Sequence, residues 1–408
     1  MKLLFRGRSI TNLLLYLIVI LSFISYENKI YISAYQLVLL IVLFLGIILF
    51  FFGMTEKKKI DCFVKNVKNN ILVYLLSISL LVATLGSSIK LGSTTINSLM
   101  NIILTILSVY IFYIFLPIVI ADDIEKKINK LILFITFFSI ISVIIAINGR
   151  FMWYRPTEYG RVSSVFFDPN YYGTISAIGF ILSIYRKGKY KLISIINLAS
   201  LFYSGSRAAM ISMLIPILIF YFYNKRLKLK NLLAFIVFFF MVCYFVIFLL
   251  NHGYFRTDQG LNSRDVLWKI SIDLIKKEPL WGYGYGAVSD QFKMQGVLNS
   301  SSHNFYLDYI LTYGIPSVIL NIMIIIKAVY SGFKNRIPAD LINVVLLLLL
   351  NMNSIYISLG GLGAVSLLYT FFLGLCNFYK YTNKHFTKGV IKIEKKVFYI
   401  EENIISKK

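Results

Sequence analysis

Arg264, Trp268 and His303 belong to a polar stretch, from Leu250 to His303, that interrupts a chain built almost entirely of apolar runs. Between Trp268 and His303 lies a Gly/aromatic run, Pro279-Leu280-Trp281-Gly282-Tyr283-Gly284-Tyr285-Gly286, and the stretch closes on Ser302-His303-Asn304. Guanidinium groups hold phosphate oxygens through a rigid fork and stay charged. Aromatic faces stack on sugar C–H surfaces, and glycines let backbone approach a ligand. An imidazole close to neutral pH is a usable proton acceptor. Together these residue types suggest chemistry on an anionic, lipid-linked sugar.

Other residues extend the set. Arg150, Arg155 and Arg161 fall in a second polar stretch, 148–170, and Arg207 follows Ser204-Gly205-Ser206 at the start of an apolar run. A cation at a helix N-terminus is repelled by the helix dipole, and a bound anion there would offset that cost. Ser300-Ser301-Ser302 offers an N-cap that would place His303 in the first turn of the next helix, a position that favours neutral imidazole. Asp308, one turn further, would face the bundle. Asp168, Asn170, Trp268, Trp281, Tyr283, Asn304 and Asp308 form a second tier of candidate substrate contacts. Each has a plainer explanation. The arginines can snorkel or pair with Glu158, Asp168 or Asp265, Asp168-Pro169-Asn170 is a strong turn signal, and the Trp281–Gly286 run can be an interfacial aromatic belt. His252 lacks comparable neighbours, and His385 is placed on the other side. No outer His/Cys cluster has metal-ligand spacing, and Asp122-Asp123 reads as a solvated helix end. If a diphosphate is handled here, arginine must replace the usual divalent cation.

These residues need a membrane scaffold. Of the 408 residues, 58% are hydrophobic and 15% charged, against about 25% charged in soluble domains. Apolar runs recur along the whole length, which predicts an all-α polytopic integral membrane protein. Candidate spans are 10–25, 33–53, 71–88, 99–120, 128–147, 171–185, 192–204, 206–223, 231–250, 304–326, 341–357 and 361–379, about twelve helices with the large loop between the ninth and tenth. Residues 1–380 read as one transmembrane domain and 381–408 as a basic cytoplasmic tail. With the N-terminus inside, inner segments hold 30 of the 42 Lys and Arg but only 9 of the 18 acidic residues. The positive-inside rule then puts both termini in the cytoplasm and 148–170 and 251–303 outside. The net charge of +24 alternates with spans and forms no basic domain, so nucleic acid is not a predicted partner. Within the large loop, Ser263 can cap a helix over 264–277 that ends at Glu278-Pro279. Its predicted apolar stripe is Val266, Leu267, Ile270, Leu274 and Ile275, with an Asp265–Lys269 pair at i,i+4.

Four stretches resemble the O-antigen polymerase and ligase superfamily, that is, Wzy-type polysaccharide polymerases and lipopolysaccharide ligases. They are Arg161-Val-Ser-Ser-Val-Phe-Phe-Asp168-Pro169-Asn170, Ser204-Gly205-Ser206-Arg207-Ala-Ala, Arg264 to Trp268 followed by Pro279-x-x-Gly282-x-Gly284, and His303-Asn304-x-x-Leu307 running to Gly314. Ser164 departs from the pattern, where a glycine is commoner. The resemblance implies a GT-C-like helical fold without metal dependence or cofactor, whose outer loop roofs a cavity open to the bilayer. It implies Arg207 and Arg264, with Arg161, as pyrophosphate binders and His303 as the base. The implied activity is repeat-unit polymerisation for O-antigen or capsule at the bacterial plasma membrane. Donor and acceptor would be glycans linked to undecaprenyl pyrophosphate, and a flippase and a chain-length regulator are the implied protein partners. A ligase of the same superfamily fits the same motifs. A lipid-linked oligosaccharide flippase or other transporter should show charges within spans and broken helices, and a purely structural membrane protein would not need His303 and two arginines at one mouth.

Overall fold

The computed structural model describes residues 57–91, 96–121, 124–148, 162, 166, 168–224, 264–297, 301–352, 354–361 and 363–378, with a few isolated residues between 41 and 51. Among the described residues the regular structure is helical, with no strand. The helices are α1 (Lys57–Asn69), α2 (Ile71–Leu91), α3 (Ile96–Ser108), a π-helical stretch (Val109–Phe115), α4 (Leu116–Ile120), α5 (Ile124–Asn148), α6 (Pro169–Ile184), α7 (Tyr190–Ser204), α8 (Arg207–Asn224), α9 (Arg264–Lys277), α10 (Val288–Met294), α11 (Phe305–Lys334) and α12 (Ala339–Asn351), followed by α13 (Ala364–Phe378). Three segments, Ile71–Ser88, Ser98–Ile120 and Phe305–Lys334, are long and apolar enough to cross a bilayer. This is the anatomy of a polytopic membrane protein. The expected spans 10–25 and 231–250, most of 33–53, and the tail lie outside the described residues.

Several expected boundaries are met closely. Asp168 caps α6, its carboxylate accepting the Asn170 N–H at 2.6 Å, with Pro169 opening the helix, the position where its fixed φ suits a first turn. Only Gly205 and Ser206 separate α7 from α8. Gly205, in the left-handed conformation, ends α7, and the Ser206 hydroxyl accepts the Ala209 N–H at 3.4 Å to begin α8. The chain therefore turns in two residues and leaves Arg207 as the first residue of α8.

Two spans differ from expectation. The helix expected over 341–357 stops at Asn351, because buried Asn351 turns its side chain to Thr174 on α6 and to Ser354. Residues 352 and 354–361 then run irregularly, with the Gly360 N–H donating to Thr370 Oγ1 at 2.8 Å and Ile357 and Leu359 fully buried. Irregular backbone at membrane depth is tolerated where protein covers it. The helix expected over 304–326 extends to Lys334 but is broken at Gly314, with φ 77° and ψ 171°, a conformation open essentially to glycine alone.

Pro316 explains what the break must repair. It has no N–H to offer the Thr312 carbonyl four residues back. The Gly/aromatic run supplies the missing partners. Tyr283 N–H donates to the Leu311 carbonyl at 2.6 Å, Gly284 N–H to Thr312 at 3.1 Å, and Ile315 N–H donates to Pro279 at 2.8 Å. Around this seam Leu267, Leu274, Tyr283, Val288, Phe292 and Leu311 form a second, smaller core that seats α9 and α10 on α11.

The helices sort the polar ends into two sets. The starts of α6, α8 and α11 meet the ends of α7 and α12, as shown by Phe305 N–H donating to the Met352 carbonyl at 3.3 Å and by the Asn351–Thr174 bond. At the other end, Arg186 after α6 reaches Asp340 at the start of α12 at 2.9 Å and also donates to Asn129 of α5.

Candidate functional site

His303 is not in the first turn of α11, as the serine cap had suggested. Asn304 is the N-cap, its side chain accepting the N–H groups of Tyr306 at 3.0 Å and Leu307 at 3.4 Å. Asparagine caps as well as serine does, and it is the capping residue directly before the apolar run at Phe305. His303 precedes the cap with φ +54°, a left-handed conformation uncommon for a residue other than glycine and costing about 1–3 kcal/mol. Its side chain is exposed.

The neighbour that fixes this turn is Ser302, which is fully buried. Its N–H donates to Asp308 Oδ1 at 2.7 Å. Its carbonyl accepts the Trp268 indole N–H at 3.1 Å. Its hydroxyl accepts the Asn304 N–H at 3.1 Å and donates to the Asn304 carbonyl at 3.0 Å. Asp308 is buried, facing the bundle as expected. Ser302, expected within a serine N-cap, is instead the buried anchor of the turn; the signal for this was a Ser-x-Asn spacing directly before a helix start.

Arg264 opens α9, and the helix spans the expected residues, Arg264–Lys277. Its buried face is narrower than the expected stripe. Leu267, Ser271 and Leu274 are buried while Val266 is exposed, because only that strip meets Phe292 and Tyr283. The Asp265–Lys269 pair is not among the ion pairs of the described residues; Lys276 pairs with Asp273 at 3.0 Å instead.

Four charged or titratable groups sense one another at this mouth. Burial lowers the Arg264 guanidinium below its ordinary pKa, and the positive charge of Arg207 lowers it further. The His303 imidazole, though exposed to solvent on one side, is partly desolvated by its neighbours, which lowers its pKa; the charge of Arg264 adds to this and the carboxylate of Asp168 opposes it. Arg207 is exposed at the first position of α8, where the helix dipole disfavours a cation and favours an anion. Four helix starts, those of α6, α8, α9 and α11, thus bring a neutral-leaning imidazole within electrostatic reach of Arg264 and Asp168, and Arg264 within reach of Arg207.

The second-tier candidates divide. Asp168 and Asn304 lie at the mouth as helix caps, and Asn170 lies in the first turn of α6. Tyr283 is buried, with its hydroxyl donating to the Leu274 carbonyl at 3.1 Å, so it has no face for a sugar. The glycines of the run approach protein backbone and not a ligand: a Cβ at Gly282 would meet the Leu311 carbonyl oxygen at 2.5 Å, and one at Gly284 the Ser87 hydroxyl at 2.6 Å. Trp281, 38% exposed, lays its ring over Gly86 of α2, where a methyl would sit 3.1 Å from the indole. Arg161, Arg150, Arg155, Arg256, His252, His385, Ser263 and Asp122-Asp123 lie outside the described residues. Among the described residues no group of three His, Cys, Asp or Glu side chains gathers as metal ligands would.

With three of the motif residues at one mouth, comparison with known proteins becomes informative. Residues 192–322 match the family described as O-antigen ligase. That stretch of the chain is similar to the O-antigen ligase family. The match supports the superfamily that the four sequence stretches resemble, whose members are glycosyltransferase-like enzymes, ligases or polymerases. The matched stretch takes in Arg207, Arg264, His303 and the broken part of α11, while Asp168 lies before it. No curated protein matches the chain.

Proposed function

We propose that the protein is a polysaccharide polymerase of this superfamily, acting at the outer face of the bacterial plasma membrane. A growing glycan on undecaprenyl pyrophosphate is the donor, and a lipid-linked repeat unit is the acceptor. The acceptor hydroxyl attacks the donor's anomeric carbon and the lipid pyrophosphate leaves. His303 takes the hydroxyl proton, a task suited to an imidazole held neutral. Arg207 and Arg264 stabilise the charge that develops on the departing pyrophosphate, the role a divalent cation has elsewhere. The observation that carries this reading is the gathering of His303, Arg264, Arg207 and Asp168 at one mouth, with their charges mutually felt.

The broken helix in α11 was the mark expected of a transporter. Its freed groups are taken up by the Gly/aromatic run, which leaves no open backbone cradle for a transported ion at the Leu311 and Thr312 carbonyls. The second reading is a ligase that moves finished glycan to another acceptor, favoured by the description of the matching family. Complementation separates the two. Restoration of long-chain polymer in a polymerase-null strain supports the first; restoration only of glycan transfer in a ligase-null strain replaces it with the second. His303→Ala, Arg207→Ala and Arg264→Lys should each leave single repeat units on lipid while the protein still inserts.

A further inference from the structure

From the geometry around Ser302 we infer that Asp308 and Trp268 are positioning residues, which grip the Ser302–His303 turn from two different helices and hold the imidazole in a fixed relation to Arg264. The inference deepens the proposed function and rests on it for its catalytic consequence, though not for its structural content.

Two observations call for such a grip. The left-handed φ of His303 disfavours this residue unless surrounding structure enforces it. The enforcing contacts converge on its neighbour: Ser302 is fully buried, and both of its peptide groups' polar atoms are engaged by side chains. Asp308 stands one turn below, on α11, and accepts the Ser302 N–H at 2.7 Å. Trp268 stands one turn after Arg264, on α9, and donates to the Ser302 carbonyl at 3.1 Å. A bond to a carboxylate is among the stronger hydrogen bonds, and burial strengthens it.

The same geometry commits the Trp268 N–H and one Asp308 carboxylate oxygen to the turn. Asp308 is 6% exposed, beneath the Ser302 turn, so its carboxylate has no path to a sugar hydroxyl. The Trp268 indole N–H is already given to Ser302. What the pair does provide is registration. Trp268 ties the helix that carries Arg264 to the turn that carries His303, and Asp308 ties that turn to the bundle. Base and anion-binding group are thereby referenced to a single buried peptide. Displacements of about 1 Å at such a site cost on the order of a hundredfold in rate.

The test reads His303 directly, with the full-length protein in nanodiscs. Histidine labelled with carbon-13 gives a titration curve for each imidazole, and the His303 signal is assigned by its loss in His303→Ala. The groups facing this imidazole are Arg264 and Asp168, with Arg207 acting on Arg264. Trp268→Phe keeps the ring and removes the N–H; Asp308→Ala removes the acceptor; Asp308→Asn keeps an acceptor oxygen. In Trp268→Phe and Asp308→Ala the midpoint should rise toward the ordinary imidazole value of about 6.5, as His303 leaves its crowded place beside Arg264. In Asp308→Asn it should stay where it is in the unmodified protein. Glycan extension should fall about tenfold to a hundredfold in the first two variants, with KM for the lipid-linked repeat unit retained. A midpoint unchanged in Trp268→Phe overturns the inference, and so does an Asp308→Asn protein that titrates like Asp308→Ala. If Asp308→Ala does not fold, Trp268→Phe and Asp308→Asn decide. Loss of the proposed function has a different signature: no extension by the unmodified protein in complementation, with the titration shifts intact.

Discussion

The two ends of the helical bundle use arginine in opposite ways. Away from the mouth, Arg186 lies against Asp340 at 2.9 Å, with side chains 13% and 9% exposed, and Asn129 accepts a further bond. Cation and anion are matched within the fold. At the mouth, Arg264 is half-buried and its charged form is penalised by burial and by a second cation, Arg207. Arg186 answers to a buried carboxylate, whereas the charged form of Arg264 is disfavoured by burial and by a second cation at a helix start. Sequence position alone does not separate the two cases, since both arginines border apolar helices.

Substitutions can break this contrast, beginning with the largest effects. His303→Ala and Arg264→Lys should each lower chain extension by about a hundredfold to a thousandfold, measured as the length distribution of lipid-linked glycan. The paired replacement Arg186→Met with Asp340→Leu should leave extension per inserted molecule unchanged; a comparable loss there would erase the distinction between the ends. Single replacement Asp340→Ala strands the Arg186 cation and should cost about 3–5 kcal/mol of stability, read by thermal unfolding in detergent. Gly314→Ala puts a side chain where only glycine is at ease and drives it into the Leu280 carbonyl. It should cost about 1–3 kcal/mol and make residues 264–297 easier to cut in limited proteolysis.

The smallest effect is on pH dependence. Neutral imidazole is the working form, so the rate should fall as pH drops through the His303 pKa, which burial and Arg264 hold below the ordinary value. Asp168 pulls in the other direction. Asp168→Asn keeps the helix cap, removes that pull and should move the acidic limb of the rate profile to lower pH. A limb that stays put or moves upward would take Asp168 out of the surroundings of the base.

Much of the site was legible because its parts are punctuated locally. Glu278-Pro279 ends α9 at the expected place, Asp168-Pro169 opens α6, and Ser204-Gly205-Ser206 turns the chain so that Arg207 begins a helix. The meeting of Arg207, Arg264 and His303 followed from placing those signals on one side of the bundle. The backbone of His303 was not legible. It depends on Ser302 being buried between Asp308 and Trp268, two contacts that no local pattern announces, and on a choice among four neighbouring capping residues. The Gly/aromatic run misled for a related reason. Glycine permits close approach of any group, and here the approaching group is the α11 backbone and not a sugar. Asn351 ends α12 early because Thr174, far away in sequence, competes for its side chain. Arg161 belongs to the expected site and lies outside the described residues.

The seam between Pro279–Gly284 and the break in α11 limits how this protein can open. Peeling the run away would expose the carbonyls of Leu311 and Thr312 and the Ile315 N–H in surroundings poor in water, at roughly 2–7 kcal/mol for each orphaned group. That part of the loop is therefore a fixed wall and not a hinged lid. On the proposed function, a lipid-linked glycan would meet this segment as a stationary surface.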